Sequence, residues 1–319
     1  MTDMPPAKDI FSKHIGVLMG GCSSEREISI KSGTAVVKAL TEAGCRVAAI
    51  DLATEDRREV IALLKRSNID LAFITLHGRF GEDGKVQEIL EAAGLPYTGS
   101  GSSASRIAMD KLATYEVLSA HQVRIPRFIQ LDQGPLSDLC DKVRDVFKQG
   151  PVVVKPPCEG SSFGISIVQD LQDLPQAFGD AFRYGERIIV EAYIKGKELT
   201  AGILGNKLLP VVEIRPQNPF FDYKAKYQAG LTQYIVPAQI DPSVAQHVQQ
   251  TAWRVHQSIG CRALSRVDFI LDQDNVPWVL EINTIPGMTA TSLLPKAAAA
   301  CGMDFKTLCL TLARSAYEK

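Results

Sequence analysis

Two short runs near the C-terminus, Arg266-Val-Asp268 and Glu281-Ile-Asn283, each carry polar side chains at a spacing of two. Strand side chains alternate between faces, so this spacing puts both residues of each run on one side. The link between them, Asp272-Gln-Asp-Asn-Val-Pro277, reads as a hairpin turn. A hairpin symmetric about Asp274-Asn275 sets position 268 opposite 281 and position 266 opposite 283. Two carboxylates opposed across a ladder repel each other, so the face makes sense with a cation between them. Hard oxygen donors of this kind suit Mg²⁺ or Mn²⁺ and leave coordination for phosphate oxygens. A second reading of the same residues is a solvated hairpin face with the arginine as counter-charge.

Three other segments hold polar groups where small anions could be met. Lys155-Pro-Pro-Cys-Glu-Gly-Ser-Ser-Phe-Gly164 joins two strand-like runs and could offer backbone N–H groups and hydroxyls to phosphate, with a lysine leading it. It is not a Walker A loop, because G-x-x-x-x-G-K-[ST] is absent and a strand follows. The composition also suits an ordinary turn. Gly20-Gly-Cys-Ser-Ser-Glu-Arg-Glu-Ile-Ser29 follows a strand and opens a helix, where orphan N–H groups favour anions. It lacks the G-x-G-x-x-G spacing. Ser24 with Glu27 fits a capping box, which leaves Glu25 without a local task. Leu76-His-Gly-Arg-Phe-Gly-Glu-Asp-Gly84 places His77 at the C-terminal edge of the same sheet, where open α/β sheets bind ligands.

These segments need elements to hold them. Residues 15–19, 46–51 and 69–75 read as strands alternating with helices at 27–43 and 57–66, a parallel α/β pattern. A short helix near 86–93 and a Gly/Ser/Thr/Pro-rich stretch lead to one helix over 105–120, and a first boundary falls near 105. The middle of the chain predicts a strand at 127–131, a helix at 137–148, and a strand-loop-strand over 151–168. Strands then dominate, with a hairpin turning at Gly205-Asn206, an amphipathic helix over 243–259 and the hairpin at 266–282. The segment 215–237 has no clear period, and a structureless stretch of that length reads as a lid.

Composition narrows the function classes. The 319 residues are 45% apolar and 22% charged, so the chain is globular. Lysine and arginine total 35 against 36 acidic residues, and no global positive field would draw in nucleic acid. The seven cysteines form no C-x-x-C pair, which argues against a disulfide framework or zinc ribbon and for a reducing cytoplasm. The N-terminal residues show no apolar signal region, and no run approaches a membrane span.

Taken in order, the motifs resemble those of the D-alanyl-D-alanine ligases of the ATP-grasp superfamily. The matching runs are Gly20-Gly-x-Ser-x-Glu-Arg-Glu-Ile-Ser29, Leu76-His-Gly78, Gly81-Glu-Asp-Gly84, Leu95-Pro-Tyr-Thr-Gly-Ser100 and Met109-Asp-Lys111. Lys155-Pro, Glu159-Gly-Ser-Ser162, Tyr223-Lys-Ala-Lys-Tyr227 and Glu281-Ile-Asn-Thr-Ile-Pro-Gly-Met-Thr289 complete the set. They cover almost the whole chain.

The resemblance implies an α/β protein: an N-terminal parallel α/β (pre-ATP-grasp) domain over 1–105, followed by a two-part α+β ATP-grasp module over 106–190 and 191–319, with a lid at 215–237. It implies ATP-dependent joining of two D-alanines through an acyl-phosphate, for peptidoglycan precursors, by a cytoplasmic homodimer that binds neither nucleic acid nor membrane. Lys111, Lys155 and Lys226 then contact phosphate, Glu191 and Glu198 hold adenine and ribose, and backbone groups near Tyr193 and Ile194 meet the base. Asp268, Glu281 and Asn283 become ligands of Mg²⁺ or Mn²⁺, two ions in all. Glu25 receives the first substrate's ammonium group, with His77 beside that subsite. Arg266 and the Gly287 N–H face the tetrahedral oxyanion, and Ser292 the second carboxylate. Glu25, Ser161 and Tyr227 form a set that joins the N-terminal domain, phosphate loop and lid. Pro157 and Cys158 are the departures, and neither falls on a chemical role. Within the class a D-alanyl-D-lactate or D-alanyl-D-serine ligase is the alternative, Tyr227 arguing against lactate. A nicotinamide-dependent oxidoreductase would leave the opposed carboxylates and the lysine loop without work, and a non-catalytic nucleotide sensor would lack the metal carboxylates.

Overall fold

A computed structural model describes residues 9–160, 163–216 and 232–317. Its first sheet is parallel, as the alternation predicts: β1 (His14–Gly20) lies between β2 (Arg46–Leu52) and β3 (Leu71–Ile74). Six of the seven β1 residues are buried because helices cover both faces. Helix α1 (Arg26–Glu42) packs on one side, and α2 (Arg57–Ser67) and α3 (Lys85–Ala92) on the other. Asp56 caps α2 by accepting from the Arg58 and Glu59 N–H groups, and Asn68 ends it in the left-handed region at φ 45°.

The expected Ser24–Glu27 capping box does not form. Helix α1 starts at Arg26 with Glu25 in the cap position and no side-chain cap, and Ser24 and Glu27 are exposed. Ser23 does the local work instead: its hydroxyl accepts from the Glu25 N–H at 3.2 Å and donates to the His77 carbonyl at 2.7 Å. Because β1 and β3 are parallel neighbours, the loops after them share an edge, and this contact ties the two together.

The helix expected over 105–120 is two, α4 (Ser102–Met109) and α5 (Lys111–Ala120). Asp110 is extended between them (φ −91°, ψ 106°) and caps α5 by accepting from the Leu112 N–H at 2.9 Å. The break puts Lys111 in the first turn of α5. A four-stranded antiparallel sheet follows, in the order β4 (Phe128–Asp132), β7 (Arg187–Ala192), β5 (Val152–Lys155), β6 (Ser166–Val168). Helices α6 (Leu136–Phe147) and α7 (Leu174–Ala181) cover it.

The third sheet has the order β11 (Thr232–Ile235), β10 (Val212–Pro216), β8 (Gly196–Leu204), β12 (Leu264–Asp272), β13 (Pro277–Asn283), with β9 (Lys207–Leu208) on β8. Helix α8 (Pro242–Ile259) packs against it. Helices α9 (Leu293–Ala300) and α10 (Phe305–Ser315) return to share a core with α1 and β1. The supposed structureless lid is not structureless at its ends: β10 and β11 pair from Glu213↔Ile235 to Pro216↔Thr232. Residues 217–231 lie outside the described residues, and Lys226 and Tyr227 with them.

The hairpin β12–β13 carries the predicted register, Arg266↔Asn283 and Asp268↔Glu281, by a route the symmetric turn did not anticipate. Leu271 faces Pro277, one residue short of symmetry, and the ladder shifts between Asp268 and Phe269, where the next partner is Val279. Leu280 is the extra residue, a β-bulge that restores the pairing at the polar end.

Candidate active site

Two cavities meet behind this hairpin. The first, about 340 Å³, lies between the loops at the edge of the parallel sheet and the β12–β13 face. Glu25 and His77 line it from the first side, Arg266, Asp268, Glu281 and Asn283 from the second, and Gly287 and Ser292 from the segment before α9. The second, about 700 Å³, is bounded by Lys155, Glu191, Tyr193 and Ile194 on one side and Glu198, Asp268 and Glu281 on the other. Lys111, Asp268 and Glu281 line both.

The opposed carboxylates are each compensated by a side chain of the protein. The Arg266 guanidinium forks onto Asp268, Nε to Oδ1 at 2.9 Å and Nη2 to Oδ2 at 2.8 Å, and the Thr200 hydroxyl donates to Oδ1 at 2.6 Å. Lys111 Nζ lies 3.2 Å from Glu281 Oε2. The counter-charge of the second reading is therefore present, joined by a lysine whose place only the fold reveals. A carboxylate offers about four lone-pair sites, so neither group is exhausted by these partners. Among the described residues no group of three or more His, Cys, Asp or Glu is placed to hold an ion by itself. Two carboxylates and the Asn283 amide are an all-oxygen set of the kind that holds Mg²⁺ together with substrate phosphates, so these residues fit the expected metal. Asn283 Oδ1 also accepts from the Ile285 N–H at 3.0 Å, which orients the amide.

Lys111 joins this face to the glycine-serine loop. Its Nζ donates to the Glu159 carbonyl at 2.8 Å and its N–H to the Pro157 carbonyl at 3.0 Å. Burial pushes the Glu159 carboxyl upward, with Lys111 and Arg79 opposing. Glycines let Glu25 approach: a Cβ on Gly78 would lie 2.7 Å from its Oε2, and one on Gly160 would lie 3.4 Å away. Gly78 also has φ +68°, where an L side chain is strained. His77 is buried, with Nε2 3.3 Å from the Ser32 hydroxyl and Nδ1 3.7 Å from Glu82 Oε1. Ser292 accepts from the Thr289 N–H at 3.1 Å and holds the cap position of α9.

In the larger cavity Lys155 and Glu191 are bound to each other, Nζ to Oε1 at 2.8 Å. Glu191, expected at the adenine or ribose, is 3% exposed and takes its other contact from the Tyr115 hydroxyl at 2.8 Å. The Tyr193 N–H, one of the backbone groups expected at the base, bonds the Pro151 carbonyl at 3.3 Å. Ser161 lies outside the described residues.

Residues 118–314 match the family described as D-ala D-ala ligase C-terminus, and residues 53–100 its N-terminal counterpart. The chain belongs to the D-alanine–D-alanine ligase family. It is 45% identical over 301 residues to the D-alanine–D-alanine ligase of Syntrophotalea carbinolica, covering 94% of this chain and 95% of the relative. It is 44% identical over 312 residues to that of Trichlorobacter lovleyi, covering 98% and 97%. Among solved structures, the Bacillus anthracis D-alanine–D-alanine ligase complexed with ATP superposes with a TM-score of 0.83 at 32% identity, covering 96% of this chain and 98% of that one. The VanG D-Ala:D-Ser ligase of Enterococcus faecalis gives 0.80 at 28% identity, covering 94% and 98%.

Three further residues in or beside these cavities escaped the sequence reading. Thr200, directly opposite Asp268 on β8, reads as an ordinary strand threonine. Glu213 is 2% exposed in the larger cavity, bonded to Arg215 Nε at 2.7 Å and to the Gln239 N–H at 3.1 Å. Tyr115 follows Lys111 by four residues, and that helical spacing puts both on one face of α5.

Proposed function

We propose that the protein joins two D-alanines at the expense of ATP through an acyl-phosphate, supplying peptidoglycan precursors in the cytoplasm as a homodimer. The observation that carries this reading is the sharing of Lys111, Asp268 and Glu281 by two cavities of unequal size. A nucleotide in the larger one and a small amino acid in the smaller one would meet at those three residues. A carboxylate is a poor electrophile, so transfer of a phosphoryl group to it at that junction supplies the leaving group.

Residues 1–105 then bind the first substrate, and 106–190 and 191–319 enclose the nucleotide. Glu25 takes the ammonium group of the first D-alanine, with His77 shaping the wall. Lys111 and Lys155 neutralise phosphate charge, together with Lys226. Glu198 and the Tyr193–Ile194 backbone meet ribose and base, while Glu191 orients Lys155. The second D-alanine enters with its carboxylate at Ser292, and its amine attacks the acyl-phosphate carbon. Arg266 and the Gly287 N–H stabilise the oxyanion, a role in which fixed donors contribute about 3 to 4 kcal/mol. Ser161 and Tyr227, outside the described residues, would complete with Glu25 the set that excludes water. Asp268, Glu281 and Asn283 would hold Mg²⁺ or Mn²⁺, two ions in the full site, and a bound divalent ion supplies charge neutralisation during phosphoryl transfer.

A phosphate-release assay with ATP and a panel of D-amino and D-hydroxy acids tests this reading. Release that requires D-alanine and yields D-alanyl-D-alanine supports it. Turnover independent of D-alanine, or hydride transfer to a nicotinamide, overturns it. D-serine and D-lactate as second substrates separate the ligase subclasses, and sedimentation tests the homodimer.

A further inference from the structure

The Tyr115 side chain is fully buried, and its hydroxyl lies behind the wall of the larger cavity, against three residues that line it. It accepts from Lys155 Nζ at 3.0 Å and lies 2.8 Å from Glu191 Oε2 and 3.1 Å from the Leu280 carbonyl. Lys155 Nζ also sits 5.4 Å from the centre of the Tyr115 ring. One phenol thus ties α5 to β5 through Lys155, to β7 through Glu191 and to β13 through Leu280. Leu280 is the bulge residue that brings Glu281 opposite Asp268. The phenol keeps its proton, because burial first and then Glu191 and Glu281 push its pKa well above the usual tyrosine range. It therefore has one proton to give, directed at Glu191 Oε2, the nearer acceptor, and shared with the Leu280 carbonyl.

A phenylalanine would fill the same space, so packing alone does not call for the hydroxyl. Without it, Lys155 loses an acceptor and is drawn onto Glu191, whose Oε2 loses its donor. The bulge carbonyl loses its share of the same proton.

We propose that Tyr115 is a positioning residue of the nucleotide cavity, holding the Lys155 ammonium in the cavity wall and pinning the Leu280 bulge that sets Glu281 opposite Asp268. The proposal rests on the ligase reading above. It predicts that Tyr115 acts on nucleotide affinity through Lys155, and leaves the D-alanine subsites alone.

The test is a double-mutant cycle on the full chain, read by calorimetric titration with ATP and Mg²⁺. Tyr115→Phe should raise the ATP Kd about fivefold with Lys155 present. In a Lys155→Met background the same change should matter at least about threefold less. The D-alanine KM should stay within about twofold of the wild type, a split that a purely structural role would not produce. A smaller coupling ratio, or an equal rise in the D-alanine KM, overturns the proposal. If Tyr115→Phe does not fold, Tyr115→Gln replaces it, since an amide can accept from Lys155 and donate to Glu191. An ATP Kd within about threefold of wild type then supports the assignment, and a larger loss overturns it. A wild-type protein that binds no ATP overturns the ligase reading and this proposal together. A wild type that binds ATP and ligates D-alanine, with no coupling between positions 115 and 155, removes Tyr115 alone.

Discussion

Two ion-paired regions flank the junction of the cavities, and they differ in how far water reaches them. On the β12–β13 face, the Arg266–Asp268 side chains are 16% and 13% exposed and the Lys111–Glu281 side chains 7% and 29%. Around Tyr115, Lys155 and Glu191 are 5% and 4% exposed. Partly solvated charges can exchange one partner for another at modest cost, whereas a buried pair that loses one member leaves an uncompensated charge. The first region can thus release its oxygens to another partner, as the ligase reading asks, whereas the second is built to stay put.

The largest effect should come from the open face. Glu281 lines both cavities opposite Asp268, so Glu281→Gln should lower ligation about a hundred- to a thousandfold. The fold should survive, because Lys111 keeps its bond to the Glu159 carbonyl. Phosphate release alongside a circular dichroism melt measures both, and unchanged Mg²⁺-dependent turnover would return the hairpin to a merely solvated face.

The buried region should break differently. Lys155→Ala strands Glu191 at 4% exposure and should cost about 3 to 5 kcal/mol of stability, while ATP binding falls far more than D-alanine binding. Pairing Lys155→Met with Glu191→Gln removes both charges and should recover most of that stability without recovering ATP affinity. Denaturant melts of the single and double variants decide it. A double variant no more stable than Lys155→Ala would show that the pair is not what the region protects.

A buried ionisable group with no counter-ion among the described residues sharpens the contrast. His256 is 4% exposed, bonded through Nδ1 to the Ser265 hydroxyl at 2.7 Å and stacked on Trp253, and burial lowers its pKa to about 4. The unfolded chain, titrating near 6.5, binds a proton there before the folded one does. This contribution is whole above about pH 6.5 and is lost as pH falls toward 4, up to about 3 kcal/mol. His256→Asn should lower stability at neutral pH and flatten the slope between those limits. A slope equal to that of the wild type would assign the acid sensitivity elsewhere.

What could be read from the chain follows the same division. The four polar residues of the hairpin were legible because a period of two survives any turn, and the pairing of Asp268 with Glu281 came out right although Leu280 bulges where symmetry expected none. Motif order carried the family, and parallel alternation placed His77 at the edge that Ser23 also reaches. Arg266 was legible as a counter-charge, and the partners brought by other elements were not. Lys111 meets Glu281, and Thr200 meets Asp268, only once distant strands pair. Tyr115 reads as helix core until Lys155 and Glu191 arrive beside it. Asp110 sits in an unbroken helical pattern, and only its cap bonds show that the helix restarts. Tyr227 and Ser161 stand as the resemblance left them, outside the described residues.

The smallest expected effect tests whether the open face is tuned at all. Thr200 faces Asp268 across the β8–β12 ladder and is 1% exposed, with its hydroxyl 2.6 Å from Oδ1 and 3.2 Å from the Val267 carbonyl. Valine has nearly the same shape, so Thr200→Val removes the hydroxyl with little change in packing. The Arg266 fork still holds both oxygens of Asp268, so the carboxylate is loosened rather than released. The cost should be about 1 kcal/mol, the scale of one net hydrogen bond. If Asp268 serves a divalent ion, the loss should appear as a several-fold rise in the Mg²⁺ concentration for half-maximal turnover, and fade when Mg²⁺ is saturating. If Asp268 serves only as the counter-charge of Arg266, the Mg²⁺ dependence should not move and the change should be confined to the melting temperature. A Mg²⁺ titration of Thr200→Val beside the wild type separates the two.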